Sequence, residues 1–484
     1  MMQRFARDVV IYGGADLLFK LVQFAFIPIY SHRLSVAQFG ILALLQVSAT
    51  LIGVLVNLGV NHSIHRFYFD KDVAEARRPL LITTGLVQLL ASMLLALPLL
   101  GFALYGAREA IADDYGIGWI LVVVALVTIL PDQIAQYTLD TSRLQFAAYR
   151  FCAIALVKNV AGLLIGLWLL LVHDMGLLGL LVGNLVAALA AVPLGLWLVR
   201  RDITLGVDLA YVRRLLGFGW PFVFAAAGYW AFSSIDRWLL AELRGAVEVG
   251  LFSVAFKFAS VIFFVVAAFH QAWIPTAMRM ANENPDYRRI IAMVFSGWFF
   301  AIALMALGIA LFAEEILMLL TPQSYWPAAP ALAVGAAGLA LLGTTQVTML
   351  GISFEKRTNL IATGAWLTAA VNVGLNLLWI PAFGATGSAA ATLGSFAFLT
   401  SFYLYWTQRL HPLPLERFKL LYSLALVALA TLAPFVPDGP PFALVAIAGK
   451  AGLMMLAIIG AVAAGILNMG LMRHLNPRLQ GTVT

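Results

Sequence analysis

Eight charged side chains fall where the sequence is otherwise apolar: Asp16, Lys20, Asp132, Lys158, Asp236, Arg237, Lys257 and Lys450. At the centre of a membrane-crossing helix each costs about 2.5–3.5 kcal/mol even on a lenient insertion scale, so each needs a partner, a ligand or water. Five of these groups are cations and three are carboxylates. A hydrated cavity built from them is net positive and favours an anion over an organic cation. Gln23, Gln46, Asn57, His270 and Gln271 lie in the same runs, and each can either hydrogen-bond a sugar hydroxyl or bridge two helices. A ligand with a phosphate and a sugar fits this set best.

The individual charges leave alternatives open. Asp16 and Lys20 are four residues apart, carboxylate first, the favourable order for an intrahelical pair. Yet Lys20 sits roughly 16 Å into its run, too deep to snorkel out easily, so a ligand role competes with self-neutralisation. Lys257 lies about 12 Å into its run from the outer side, and either lines a cavity or neutralises Asp236. Arg237 is either a ligand cation or an interfacial anchor. Lys158 lies within reach of the cytoplasmic interface, and Lys450 can snorkel outward or contact lipid. Asp132 follows Pro131, which makes either a kink with a satisfied carboxylate or a small cation or proton site.

The elements that carry these charges follow from composition. The chain has 484 residues, 62% hydrophobic and 11% charged, with a mean hydropathy of +0.94. A soluble globule carries about 25% charged residues, so the chain belongs in a bilayer. Apolar runs long enough to cross about 30 Å of hydrocarbon recur from end to end. They predict fourteen spans at 9–31, 39–61, 80–105, 117–138, 151–172, 177–199, 217–240, 249–274, 289–312, 328–350, 359–380, 386–407, 418–436 and 442–470. With the N-terminus inside, the cytoplasmic segments hold 22 Lys and Arg and the outer loops three, Arg33, Arg108 and Arg244. The positive-inside bias therefore places both termini in the cytoplasm. The net charge of +7 is spread over short cytoplasmic loops, where it meets anionic headgroups, and excludes no class except nucleic-acid binding by a basic domain.

Two stretches echo each other about 210 residues apart. Ala37-Gln38-Phe39-Gly40-Ile41-Leu42 returns as Val247-Glu248-Val249-Gly250-Leu251-Phe252, Arg66 with Arg77-Arg78 as Arg279 with Arg288-Arg289, and Gly176-x-x-Gly179 as Gly384-x-x-Gly387. Related halves are the usual frame of a membrane transporter, with the ligand between them. The expected organisation is all-α: a six-helix bundle over 1–205, a second over 206–412, and two extra spans with a tail over 413–484. The sequence offers no phosphate-binding P-loop, since Gly449-Lys450 lacks its flanking residues. His62 and His65 lack the spacing of a zinc motif and read as a solvated basic loop, and the single Cys152 forms no disulfide. Gly162-x-x-x-Gly166 and Gly179-x-x-x-Gly183 read as close helix packing. No catalytic residue, metal site or cofactor is expected, and the outer loops are too short for a glycosyltransferase or polymerase.

The pattern Gly13-Gly14-x-x-Leu17-x-x-Lys20-x-x-Gln23, then Ile27-Pro28-Ile29-Tyr30, Leu34-Ser35, Phe39-Gly40 and Arg66-Phe67-Tyr68-Phe69-Asp70, resembles the Wzx-type polysaccharide flippases of the multidrug/oligosaccharidyl-lipid/polysaccharide exporter superfamily. Ser234-Ile235-Asp236-Arg237, Val249-Gly250-Leu251-Phe252-Ser253-Val254-Ala255 and the Gly384 turn extend the resemblance over almost the whole chain. It implies two six-helix bundles plus two C-terminal spans in the bacterial inner membrane. It further implies movement of undecaprenyl-pyrophosphate-linked oligosaccharide to the periplasmic leaflet by alternating access, with membrane lipid, a polymerase and a chain-length regulator as partners. On this resemblance Lys20, Lys257 and Arg237 hold the pyrophosphate; by their own chemistry Gln23 and Asn57 are expected to face the substrate, and Asp16, Asp236 and Asp132 to pair charges or couple an ion. A cation-coupled multidrug exporter and a lipid II flippase are the alternatives. The former usually has twelve spans, and the latter usually carries more arginine in its first span.

Overall fold

The computed structural model describes residues 14, 18–19, 21–70, 73, 75–436 and 442–466. Asp16 and Lys20 lie outside the described residues, as does most of the expected span 9–31. Every regular element among the described residues is helical. Twelve helices are long and apolar enough to cross a membrane. One of them, Asn359–Leu410, is twice the usual length because it holds two spans joined at Gly384, whose φ of 54° and ψ of −130° are non-helical. Counted as two, it brings the total among the described residues to thirteen, each on an expected apolar run. A left-handed φ is open to glycine at no steric cost, which is why the reversal falls there. Gly176, its counterpart in the sequence echo, opens its helix with a φ of 56°.

By packing the chain divides into Met1–Gly250 and Leu251–Thr484. This division does not bear on the repeat boundary at 205/206, because a helix of a second repeat can pack on a first. In the first unit, Val36–Asn57 starts with a capping box: Ser35 Oγ accepts from the Gln38 amide at 3.2 Å, and Gln38 Oε1 accepts from the Ser35 amide at 3.0 Å. This satisfies two of the amides that a helix start leaves open. The helix ends at Leu58 and Gly59, both left-handed, and resumes as Val60–Phe67. His62 and His65 therefore stand on a helix, with His62 stacked on Phe222, and the expected solvated loop is absent.

The break is held by Leu209–Arg244. A Cβ at Gly59 would meet the Gly219 backbone, and Ser63 Oγ donates to the Leu215 carbonyl at 2.8 Å. The echoed glycines also pack on one another's helices. A Cβ on Gly40 would overlap the Ala246 carbonyl oxygen, and one on Gly250 that of Val36. Close backbone approach is what the small residues in the echo provide.

In the second unit the most enclosed element is the stretch Gln323–Phe354, of which 89% of the apolar window is buried. Its Ala- and Gly-rich helix Ala329–Thr348 packs against Tyr287–Leu311 and Thr358–Leu410. Several polar atoms there are spent internally: Trp298 Nε1 donates to the Gly343 carbonyl at 3.0 Å, and Ser388 Oγ to Asn376 Oδ1 at 2.8 Å. In an environment without water each unpaired group would cost several kcal/mol.

Candidate substrate cavity

A cavity of about 440 Å³ opens within the first unit, between Val36–Asn57, Trp119–Leu144, the stretch Ala148–Leu171 and Gly176–Leu198. Its lining is rich in carboxamides: Gln23, Gln46, Gln133, Gln136, Asn159 and Asn184, with Thr50 and Thr128. Among the described residues the charged ones in the lining are Asp132 and Lys158. Asp132, Gln133, Gln136 and Asp140 recur at helical spacing on one side of Trp119–Leu144, while Lys158 and Asn159 come from a π-helical turn, Leu156–Ala161. Such a turn carries an extra residue and is found frequently at functional sites. Here it brings two consecutive side chains to one cavity.

Lys158 Nζ lies 3.0 Å from Asp132 Oδ1 and donates to Gln136 Oε1 at 3.3 Å. The ammonium is part of the wall, 14% exposed, whereas the Asp132 side chain is 41% exposed. Lys158 meets these partners from well within its helix. It stands ten residues, about 15 Å, into its helical segment and turns toward the bundle interior.

From Gln136 the polar contacts run toward the C-terminal end of the helix. Gln136 Nε2 donates to Asp140 Oδ1 at 3.2 Å, and Asn61 Nδ2 donates to Asp140 Oδ2 at 2.9 Å. Asn57 Nδ2 donates to Gln133 Oε1 at 3.1 Å. A second cavity of about 180 Å³ shares Val54, Gln133 and Gln136 with the first and reaches Asn57, Asn61 and His62. Burial holds the neighbouring His65 imidazole below the usual histidine range against the opposing pull of Asp140, with His62 and Arg143 adding to the depression.

The other residues expected at a site are placed as follows. Gln23 and Gln46 line the larger cavity, and Asn57 the smaller. Asp236 is buried and accepts from its neighbour: Arg237 Nη1 is 3.1 Å from Asp236 Oδ1, and the Arg237 amide also donates to that oxygen at 2.9 Å. Lys257 is half-buried on Ala246–Ala259, and His270 and Gln271 are exposed on Val261–Glu283. Lys450 neither snorkels nor meets lipid. It is buried in the second unit, 2.6 Å from Glu315 Oε1. Lys158, Arg237 and Lys450 thus each carry a carboxylate within 3.1 Å. The charge count had missed Glu315 because it begins a short helix, Ala313–Leu320, that reads as outer loop. It had also missed Gln133, Gln136, Asn159 and Asn184, although the helical spacing from Asp132 to Asp140 was legible.

Among the described residues no three His, Cys, Asp or Glu side chains converge on a possible metal site. The cavity has the makings of a hydrated binding chamber: hydrogen-bonding groups at bilayer depth around one ion pair. Multi-pass helical membrane proteins are the class that this fold defines. The lipid II flippase MurJ, solved in an inward closed conformation, shares the fold with a TM-score of 0.72 over 97% of this chain and 100% of its own, at 11% identity. An inward-facing multidrug resistance MATE family transporter of the MOP superfamily gives 0.62 at 14% identity, covering 81% of this chain and 97% of its own. A variant of the Vibrio cholerae MATE transporter VcmN gives 0.56 at 16%, covering 87% and 98%. By sequence the chain belongs to the family described as polysaccharide biosynthesis protein, which it matches over residues 5–281. No curated protein matches it.

Proposed function

We propose that the chain is a flippase that carries undecaprenyl-pyrophosphate-linked oligosaccharide from the cytoplasmic to the periplasmic leaflet of the bacterial inner membrane, for O-antigen, capsule or exopolysaccharide assembly. The carboxamide-lined cavity around the Asp132–Lys158 pair carries this reading. A glycan cannot cross hydrocarbon unaided, and hydrogen-bonding groups facing a chamber replace the water it must leave. The family and the fold agree with it. In this account Lys20 and Lys257 hold the pyrophosphate with help from Arg237, and Gln23 and Asn57 face the glycan. Asp16, Asp236 and Asp132 balance charge or couple an ion. The bundles over 1–205 and 206–412 are the moving repeats, and 413–484 is an addition to them. Both termini are cytoplasmic, and a polymerase and a chain-length regulator act on the delivered product.

Complementation tests the reading against drug export and against lipid II transport. The chain should restore surface polysaccharide to a cell lacking its lipid-linked-oligosaccharide flippase, and leave the accumulation of cationic dyes unchanged. Lowered dye accumulation without restored polysaccharide would support a multidrug exporter instead, and rescue of a cell depleted of its lipid II flippase would support that branch.

A further inference from the structure

We propose that the cavity of the first unit binds an uncharged sugar of the glycan and takes no part in holding the pyrophosphate, an inference that rests on the flippase reading above. Four observations converge on it. Among the described residues the lining is electrically neutral, because its one ammonium and one carboxylate face each other at 3.0 Å. A pyrophosphate entering here would have to displace Asp132 from Lys158 and would meet the repulsion of the released carboxylate. A hydroxyl meets no such penalty, and the half-exposed Asp132 oxygens can accept from it while Lys158 stays in place.

The amide groups have capacity to spare. Among the described residues the side chains of Gln23, Gln46, Asn159 and Asn184 hydrogen-bond to no protein group, although all four line the cavity. A carboxamide offers donors and an acceptor together, matching a sugar hydroxyl, which is also both. The π-helical turn at Leu156–Ala161 directs Lys158 and Asn159 into the same space. Finally, no aromatic side chain among the described residues lines the cavity, so none of them attracts an organic cation through a ring face. The volume of about 440 Å³ lies in the usual range for small-molecule sites, roughly 300–1,000 Å³.

The test measures binding of two lipids to the full chain in lipid nanodiscs. One is the pyrophosphate-linked oligosaccharide that accumulates in cells lacking this chain; the other is bare undecaprenyl pyrophosphate. Wild type should prefer the glycan-bearing lipid. Asn159→Ala combined with Asn184→Ala should weaken that lipid about thirtyfold, the effect of losing two hydrogen bonds of ordinary strength, and leave the bare lipid within about twofold. A second variant, Asp132→Asn with Lys158→Gln, removes both charges without leaving one unpaired, and should again weaken only the glycan-bearing lipid. Equal weakening of both lipids would make the cavity an anion site and overturn the inference, as would no change in either or a wild type without preference. If wild type bound neither lipid, the flippase reading would fall and the inference with it.

Discussion

Replacing Lys450 by Met should destabilise the second unit severely, and replacing its partner at the same time should restore it. Lys450 Nζ and Glu315 Oε1 are 2.6 Å apart, the two side chains only 6% and 8% exposed. At an effective dielectric of about 20 the gross attraction at that separation is roughly 6 kcal/mol. Desolvation of both ions consumes most of it, so the pair contributes little net stability. Removing one partner is different. It leaves Glu315 buried and uncompensated, with Oε2 already lacking a hydrogen-bond partner, at a cost of about 3–5 kcal/mol. Thermal unfolding of detergent-purified protein, followed by the size-exclusion peak, should show Lys450→Met melting on the order of 10 °C lower. Glu315→Leu with Lys450→Met should recover most of the loss. A single variant as stable as wild type, or a double variant worse than the single, would refute the reasoning.

Lys20→Ala and Lys257→Ala should each abolish flipping at normal expression, with Lys→Arg keeping part of it because the charge remains; rescue of the Lys20 loss by Asp16→Asn with Lys20→Gln would instead assign that lysine to charge pairing. Gly250→Val should lower folded yield sharply, because a side chain there overlaps the Val36 carbonyl, whereas Gly217→Ala, with nothing within 4 Å, should be neutral by the same measure. On the short helix Arg108–Tyr115, Tyr115 Oη donates to Glu242 at 2.6 Å, and this bond, aided by burial, pushes the phenol up to about 12. A raised folded value means that stability is intact below the ordinary pKa near 10 and is lost as pH rises from about 10 to 12. Melting temperature against pH should therefore fall more steeply across that window in wild type than in Tyr115→Phe.

The spans were legible because bilayer thickness dictates run length, and the fourteen expected runs coincide with helices wherever residues are described. The echo was legible for a related reason: Gly40 and Gly250 each face backbone, and Gly176 and Gly384 adopt nearly the same left-handed φ, constraints that leave glycine little substitute. Charge partners were harder to read. Asp236 and Arg237 are adjacent, but Asp132 and Lys158 are 26 residues apart and Glu315 and Lys450 are 135 apart. Which cation meets which carboxylate depends on helix azimuth, and the π-helical turn at Leu156–Ala161 resets that azimuth without a sequence mark. The amide lining escaped notice for the same reason, since a single Gln or Asn in a span is as consistent with a helix contact as with a chamber.

The most direct measurement of the central claim is transbilayer movement of the substrate itself. Proteoliposomes holding the full chain and a pyrophosphate-linked oligosaccharide should expose the inner-leaflet glycan to a membrane-impermeant glycosidase added outside, beyond the half accessible at the start, and Lys20→Ala proteoliposomes should not. If folded wild-type protein left the inner half protected while the vesicles stayed sealed, the chain would not be a flippase for this class of lipid.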